Sequence, residues 1–243
     1  MDPTWRASLV EHGYAHLPRL VPAPLVAAAR AAIDEELRLR YDAAREREYA
    51  ARTYCPKLLG TRPIMDLFER SPARALVDEA LGLDAVACDR GQIAIRWAHN
   101  AAQEEPPVPH LDGFASDDNG LPIGRIASHT ATLGIFLTTT PRPFAGNLTV
   151  WPGTHRLYER HFRERGPRAL VEGPPALELG APLQLPCEAG DVVLLHYSLA
   201  HTAAVNTSDV DRIAVYFRLA LRDLAAHRWE SLANLWRGWR VGP

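Results

Sequence analysis

One segment limits the possible folds more than any other. Arg212-Ile213-Ala214-Val215-Tyr216-Phe217-Arg218-Leu219 alternates strictly between two kinds of side chain, a period of two that suits a half-covered β-strand and not a helix. Arg212, Ala214, Tyr216 and Arg218 share one face, and the apolar residues share the other. Similar segments precede it. Residues 92–97 split into Gln92, Ala94 and Arg96 against Ile93, Ile95 and Trp97, and residues 127–137 set Thr130, Thr132 and Gly134 against Ala131, Leu133 and Ile135. Residues 146–156 read as a strand running into a Pro152-Gly153 turn, and Gly190-Asp191 turns into the apolar strand Val192 to His196. From about Ala85 to Arg222 the chain is therefore mainly β, and the mostly polar faces of these strands look either into a wet cavity or into solvent.

The first third reads differently. After a short extended stretch at residues 13–18, Pro22 and Pro24 precede a helix from Leu25 to about Arg47, with Leu25, Ala29, Ile33 and Leu37 at helical spacing. Asp34 with Arg38 and Glu36 with Arg40 make four-apart charge pairs on its other surface. A second helix is framed by Ser71 as N-cap, Pro72 at the first position and Gly82 after the end, with Leu76, Val77, Ala80 and Leu81 as its apolar side. Residues 98–109 and 113–124 have loop compositions, the latter with Asp117, Asp118, Asn119 and Gly120. Residues 156–186 mix Arg156, Arg160, Arg163, Arg165 and Arg168 with glutamates, which reads as a solvated insertion or as a lid over a pocket. Trp229, Leu232, Trp236 and Trp239 recur at helical spacing near the end, a packing or dimer stripe.

At 243 residues the chain fits one barrel- or sandwich-sized domain. A formal net charge of −2 offers no field for nucleic acid. Cys55, Cys88 and Cys187 are odd in number and far apart, which indicates neither a disulfide framework nor a cysteine-rich zinc site and fits a reducing cytoplasm. No apolar run is long enough to cross a bilayer, so no membrane partner is expected.

The chemistry concentrates at Val108-Pro109-His110-Leu111-Asp112-Gly113. In an extended segment His110 and Asp112 point to one side, and an imidazole and a carboxylate there are two thirds of a metal site of the His, Asp, His type that leaves open positions on iron(II). The same pattern would suit a surface turn in which Asp112 bonds to backbone. The third ligand would be a downstream histidine, and His196 and His201 are both chemically eligible. His155, at a turn, reads as a hydrogen-bonded structural residue. Arg212 is placed either to clamp a carboxylate in a bidentate manner or to make a salt bridge at the rim.

Taken together these pieces resemble the phytanoyl-CoA dioxygenase family of iron(II)- and 2-oxoglutarate-dependent oxygenases. The likeness covers most of the chain: Glu11-His12-Gly13-Tyr14 with Leu17-Pro18, His110-x-Asp112, Gly146-Asn147-Leu148 through Arg156, Gly190-Asp191-Val192-Val193, and above all His201 with Asn206 and Arg212 at the family's offsets. The resemblance implies a double-stranded β-helix, a jelly-roll with the N-terminal helices packed outside. It selects His201 over His196 as the third ligand beside His110 and Asp112, and gives Arg212 the distal carboxylate of 2-oxoglutarate. Gln92, Thr130 and Thr132 follow as candidates for the remaining cosubstrate contacts. The family often has Ser or Gly two residues after the distal histidine, where this chain has Ala203, so one cosubstrate hydrogen bond comes from elsewhere.

The chemistry so implied uses iron(II), 2-oxoglutarate and O2. The cosubstrate chelates the metal, its decarboxylation to succinate produces an oxidant, and the oxidant takes hydrogen from the substrate. Halogenating members lack the carboxylate that Asp112 supplies, so hydroxylation or oxidative ring closure is expected. The implied substrate is a small polar molecule from secondary metabolism, sugar-containing natural products included, acted on by a monomer or homodimer. The rival readings are a non-oxidative cupin-type metalloenzyme, an isomerase or hydrolase, and a catalytically silent jelly-roll that binds a small molecule.

Overall fold

The computed structural model describes residues 4–115 and 121–241. The predicted acidic loop residues Asp117 and Asp118 lie outside them. Helix α1 (Thr4–His12) leads into β1 (Tyr14–Leu17), followed by α2 (Ala23–Arg40), α3 (Glu46–Ala51), α4 (Arg62–Glu69) and α5 (Pro72–Leu81). The β-rich part contains β2 (Val86–Ala87), β3 (Gln92–Arg96), β4 (Ala131–Phe136), β5 (Leu148–Val150), β6 (Leu183–Gln184), β7 (Val192–His196), β8 (His201–Ala203) and β9 (Arg212–Leu221). Two further helices are α6 (Thr154–Arg165), between β5 and β6, and α7 (Arg228–Ala233), after β9.

All strand pairings are antiparallel. The larger sheet runs β1-β7-β4-β9, with β2 and β3 both pairing with β9, and the smaller runs β6-β5-β8. This is the expected jelly-roll arrangement, mainly β with helices on its flank. Alternation along the strands explains how the layers assemble. Val192 and Leu194 of β7, Leu133 and Ile135 of β4, and Ile213, Val215, Phe217 and Leu219 of β9 pack outward against Ile33, Ile64, Leu67, Leu76 and Val77 of α2, α4 and α5. Val193, Leu195, Phe136 and Ala214 point the other way and meet Leu148 and Val150 of the smaller sheet. Because β7 is covered on both faces, its run of apolar residues does not alternate. Burying each such side chain contributes about 1.5–3 kcal/mol.

Local chemistry sets the element boundaries. Ser71 Oγ accepts the amide of Ala73 at 3.2 Å, as expected for the cap of α5. The predicted helix from Leu25 to about Arg47 instead stops at Arg40. Asp42 Oδ1 accepts the amide of Ala44 at 3.0 Å, and this side-chain cap starts a new 3-10 turn that leads into α3. The break matters, since it sends α3 across the mouth of the β-rich part. Asp191 likewise holds a turn, accepting from the amides of Arg19 and Glu188 and pairing with His16 at 2.8 Å, which ties β1 to the start of β7.

Helix α6 was not legible as a helix. Its buried residues are Thr154, His155, Tyr158 and Phe162, of which only the last two are plainly apolar, in a sequence otherwise dense in arginine and glutamate. Phe162 packs with Leu111, Phe114, Trp151, Tyr197 and Leu232. The N-terminal part of segment 156–186 is thus a buttress beneath residues 111–114. The tryptophan stripe is only partly helical, since α7 ends at Ala233. Trp236 and Trp239 close instead around His196, at ring distances of 5.3 and 5.4 Å, and its Nε2 meets the carbonyl of Leu235 at 2.8 Å. Among the described residues no helix is long and apolar enough to cross a membrane.

Candidate metal and cosubstrate site

His110, Asp112 and His201 come together, with one ligand atom from each lying within 4.8 Å of the others. His201 sits at the start of β8, which the smaller sheet pairs to β5 through Val150. His110 and Asp112 lie on an irregular segment and not in a regular extended run. His110 makes a single bridge to His201, and Asp112 stands in a turn. The carboxylate is aimed by what surrounds that turn. Gly113 has φ +82°, and a Cβ there would lie 2.5 Å from the carbonyl oxygen of Ala127, so only glycine fits. Tyr197 donates its hydroxyl to the carbonyl of Asp112 at 2.7 Å. Phe114 stacks on Phe162 of α6 with ring centroids 6.1 Å apart.

The protonation states suit metal binding. Nδ1 of His201 lies 2.9 Å from the carbonyl of Leu199, which makes it the N–H and leaves Nε2 with its lone pair. Burial lowers the His201 pKa, partly offset by the Asp112 charge, so the ring is neutral at neutral pH. For Asp112 burial opposes ionisation, but the hydrogen bond from His110 and the charge of Arg218 outweigh it and hold the carboxyl well below the usual range. Two imidazoles and one carboxylate form the set that takes iron(II) with open positions.

These groups open onto a cavity of about 220 Å³ that also contains Thr132, Arg96, Arg212, Tyr216 and Arg218 in its lining. Tyr49, Ala50 and Ala51 of α3 contribute to the wall, together with Tyr54. Arg212 is 2% exposed, with Nε donating to the carbonyl of Gly146 at 2.7 Å and Nη1 to that of Ala94 at 3.1 Å. Asn206 sets up its approach, donating through Nδ2 to the carbonyls of Arg96 (2.9 Å) and Val210 (2.8 Å), which fastens the turn before β9 to β3. Burial lowers the Arg212 pKa, yet a guanidinium stays charged at any working pH. Among the described residues it has no carboxylate partner. A buried cation satisfied only by carbonyls leaves its charge uncompensated, which a bound dicarboxylate would correct.

The other expected residues divide. Thr132 lines the cavity and its hydroxyl meets Nε2 of His129 at 2.6 Å. Gln92 lines it too, but its amide is engaged at both ends, with the carbonyl of Arg52 and with Arg218. Thr130 is not among the lining residues. It precedes the regular part of β4, and its hydroxyl accepts the amide of Leu221 at 3.1 Å, closing the end of the sheet. Ala203, with no hydroxyl to offer, faces the cavity. His196 lies away from the candidate metal ligands in its tryptophan cage, and His155 is fully buried with Nε2 3.2 Å from the carbonyl of Val10, a structural place for both. Three neighbours of the site were not singled out as site residues in the sequence: Arg218, whose Nε donates to Asp112 Oδ2 at 3.0 Å, Tyr197 and His129. Arg218 had a signal, since it shares the Arg212 face of β9.

Comparison with known proteins agrees with this geometry. The sequence profile of the phytanoyl-CoA dioxygenase (PhyH) family matches residues 9–214. No curated protein matches the chain in sequence. Among solved structures, the non-haem alpha-ketoglutarate-dependent carbocyclase SnoK from nogalamycin biosynthesis is 20% identical with a TM-score of 0.54, covering 94% of this chain and 90% of its own. HygX from Streptomyces hygroscopicus with nickel, 2-oxoglutarate and hygromycin B bound is 16% identical, with a TM-score of 0.59 over 91% of this chain and 88% of its own. The epimerase SnoN, in complex with Fe3+, alpha-ketoglutarate and nogalamycin RO, is 18% identical with a TM-score of 0.52 over 89% and 82%. At these identities the likenesses establish the fold, and the profile match over most of the length establishes the rest: the chain belongs to the phytanoyl-CoA dioxygenase family of iron(II)- and 2-oxoglutarate-dependent oxygenases.

Proposed function

We propose that this protein hydroxylates or oxidatively cyclises a small polar organic substrate in natural-product tailoring, with His110, Asp112 and His201 holding iron(II) and Arg212 holding the distal carboxylate of 2-oxoglutarate. The observation that carries this reading is the pairing, in one cavity, of a three-ligand cluster with a buried arginine that has no carboxylate partner among the described residues. The bound metal and cosubstrate supply the oxidant that takes hydrogen from the substrate. The protein's own residues do the positioning. The Leu199 carbonyl fixes the His201 tautomer, Thr132 offers a hydroxyl beside the cosubstrate, and α3 with Tyr54 walls the cavity and limits water.

A sugar-containing natural product is the favoured substrate class, supported by the likeness to HygX, crystallised with hygromycin B, and to SnoK and SnoN of nogalamycin chemistry. The free thiols of Cys55, Cys88 and Cys187 support work in the reducing cytoplasm, as a monomer or homodimer built on one domain. The test is succinate formation from 2-oxoglutarate with iron(II) and ascorbate under air. Slow succinate release that polar glycosides accelerate is expected. A metal-loaded protein that never forms succinate overturns the reading in favour of a non-oxidative metalloenzyme.

A further inference from the structure

The carboxylate of Asp112 is shared unequally. Its Oδ2 accepts from Arg218 Nε at 3.0 Å, while Oδ1 lies 3.5 Å from His110 Nε2, on the side of the other metal-ligand candidates. Arg218 is itself held. Its Nη1 donates to Gln92 Oε1, and the Gln92 amide nitrogen donates to the carbonyl of Arg52, the residue that follows α3. The chain Arg52–Gln92–Arg218–Asp112 therefore ties three separate parts of the molecule to one oxygen atom. β3 and β9 supply its middle members in register, since Gln92 pairs with Tyr216, two residues before Arg218.

Resting on the metal reading above, we propose that Arg218 is a positioning residue that restricts Asp112 to one-oxygen coordination. A carboxylate with both oxygens free can chelate a divalent ion and fill a position that the cosubstrate or O2 needs. With Oδ2 occupied by a guanidinium, only Oδ1 is available, and one more position on the metal stays open. Gln92 keeps the guanidinium from swinging out toward solvent, where 45% of the Arg218 side chain is already exposed. A partner of this kind also fixes the ligand's direction before metal arrives.

The experiment titrates Co(II) into the full-length protein and its Arg218→Ala, Arg218→Lys and Gln92→Leu variants, reading affinity and the ligand-field bands whose intensity reports coordination number. Circular dichroism and thermal melting control for folding. Arg218→Ala is expected to weaken Co(II) binding about 10–100-fold and to change the band intensities. Arg218→Lys, which keeps the charge but not the planar fork, should restore part of the affinity, and Gln92→Leu should shift the spectrum in the Arg218→Ala direction by less. Should Arg218→Ala fail to fold, the Lys and Gln92 variants decide by the same readouts. A variant series that melts earlier with wild-type affinity and spectrum shows a merely structural salt bridge and overturns the proposal alone. Wild-type protein that binds no divalent metal overturns the metal reading, and this one with it.

Discussion

His110 and His201 are tied to each other through their backbones before any metal is considered. The amide of His110 donates to the carbonyl of His201 at 3.1 Å, and the amide of His201 donates back at 3.2 Å, with the two rings 4.7 Å apart. The reciprocal pair brings together two residues separated by most of the β-rich part of the chain. It also makes the two imidazoles arrive as one unit, so that losing either ring should leave the bridge and the fold in place.

His201→Ala is accordingly expected to abolish metal binding and 2-oxoglutarate turnover with a melting temperature close to wild type. His196→Ala should do the reverse. It empties a cage formed by Trp236 and Trp239 and strands the Leu235 carbonyl, at a cost of about 2–4 kcal/mol in stability, while metal binding survives. Calorimetric metal titration and thermal melts on both variants check the assignment. Loss of metal in His196→Ala alone would reverse the choice of ligand.

Arg212→Ala should separate cosubstrate binding from metal binding. Removing one member of a buried charge pair typically costs about 2–5 kcal/mol, so 2-oxoglutarate affinity should fall by roughly 10²-fold or more. Thermal shifts give the measurement. At saturating concentration 2-oxoglutarate should raise the melting temperature of the wild-type protein with metal present and leave that of Arg212→Ala unmoved, while metal alone stabilises both.

Acid should destabilise the protein earlier than its carboxylates alone would require. Burial lowers His196 to about 4 and both His129 and His155 to about 3. The unfolded chain binds protons at these histidines near their ordinary value, so it holds more protons than the folded chain between that value and the lowered ones. Stability is therefore fully present above about pH 6.5 and lost as pH falls toward 4, by about 3 kcal/mol for His196 alone. His196→Gln should flatten the loss, measured as denaturant stability from pH 7 to pH 4. An unchanged slope would place the titration elsewhere.

Phe162→Ala tests the role of α6. A lid would tolerate the change. A buttress under Phe114 and Leu111 would not, and about 3–5 kcal/mol of stability should be lost, together with metal affinity as the 110–114 segment loosens. Unchanged metal affinity in a folded variant would argue for a segment uncoupled from the site.

The parts of this molecule that were legible in its sequence are those governed by short-range rules. The alternation from Arg212 to Leu219 gave β9 and the correct face for Arg212, and Ser71, Pro72 and Gly82 gave α5 to the residue. Choosing His201 over His196 needed the resemblance, because both histidines lie at strand ends and only their long-range neighbours, Asp112 against Leu235 and Trp239, tell them apart. Helix α6 was hidden because its buried face is half polar, with Thr154 and His155 as full members. Thr130 sits one step before the regular strand, where its hydroxyl holds the Leu221 amide, and the first long helix breaks because Asp42 competes for the backbone in a way that apolar spacing does not report.

Strand β9 has a practical meaning for anyone wishing to alter this protein. Positions 213, 215, 217 and 219 are committed to the contact with the helices, whereas 212, 216 and 218 border the cavity that holds the candidate metal ligands. Randomising Tyr216 while leaving its immediate neighbours intact samples new chamber shapes without disturbing what the helical layer rests on, so a single ten-residue strand offers catalytic retuning and structural integrity as separable dials.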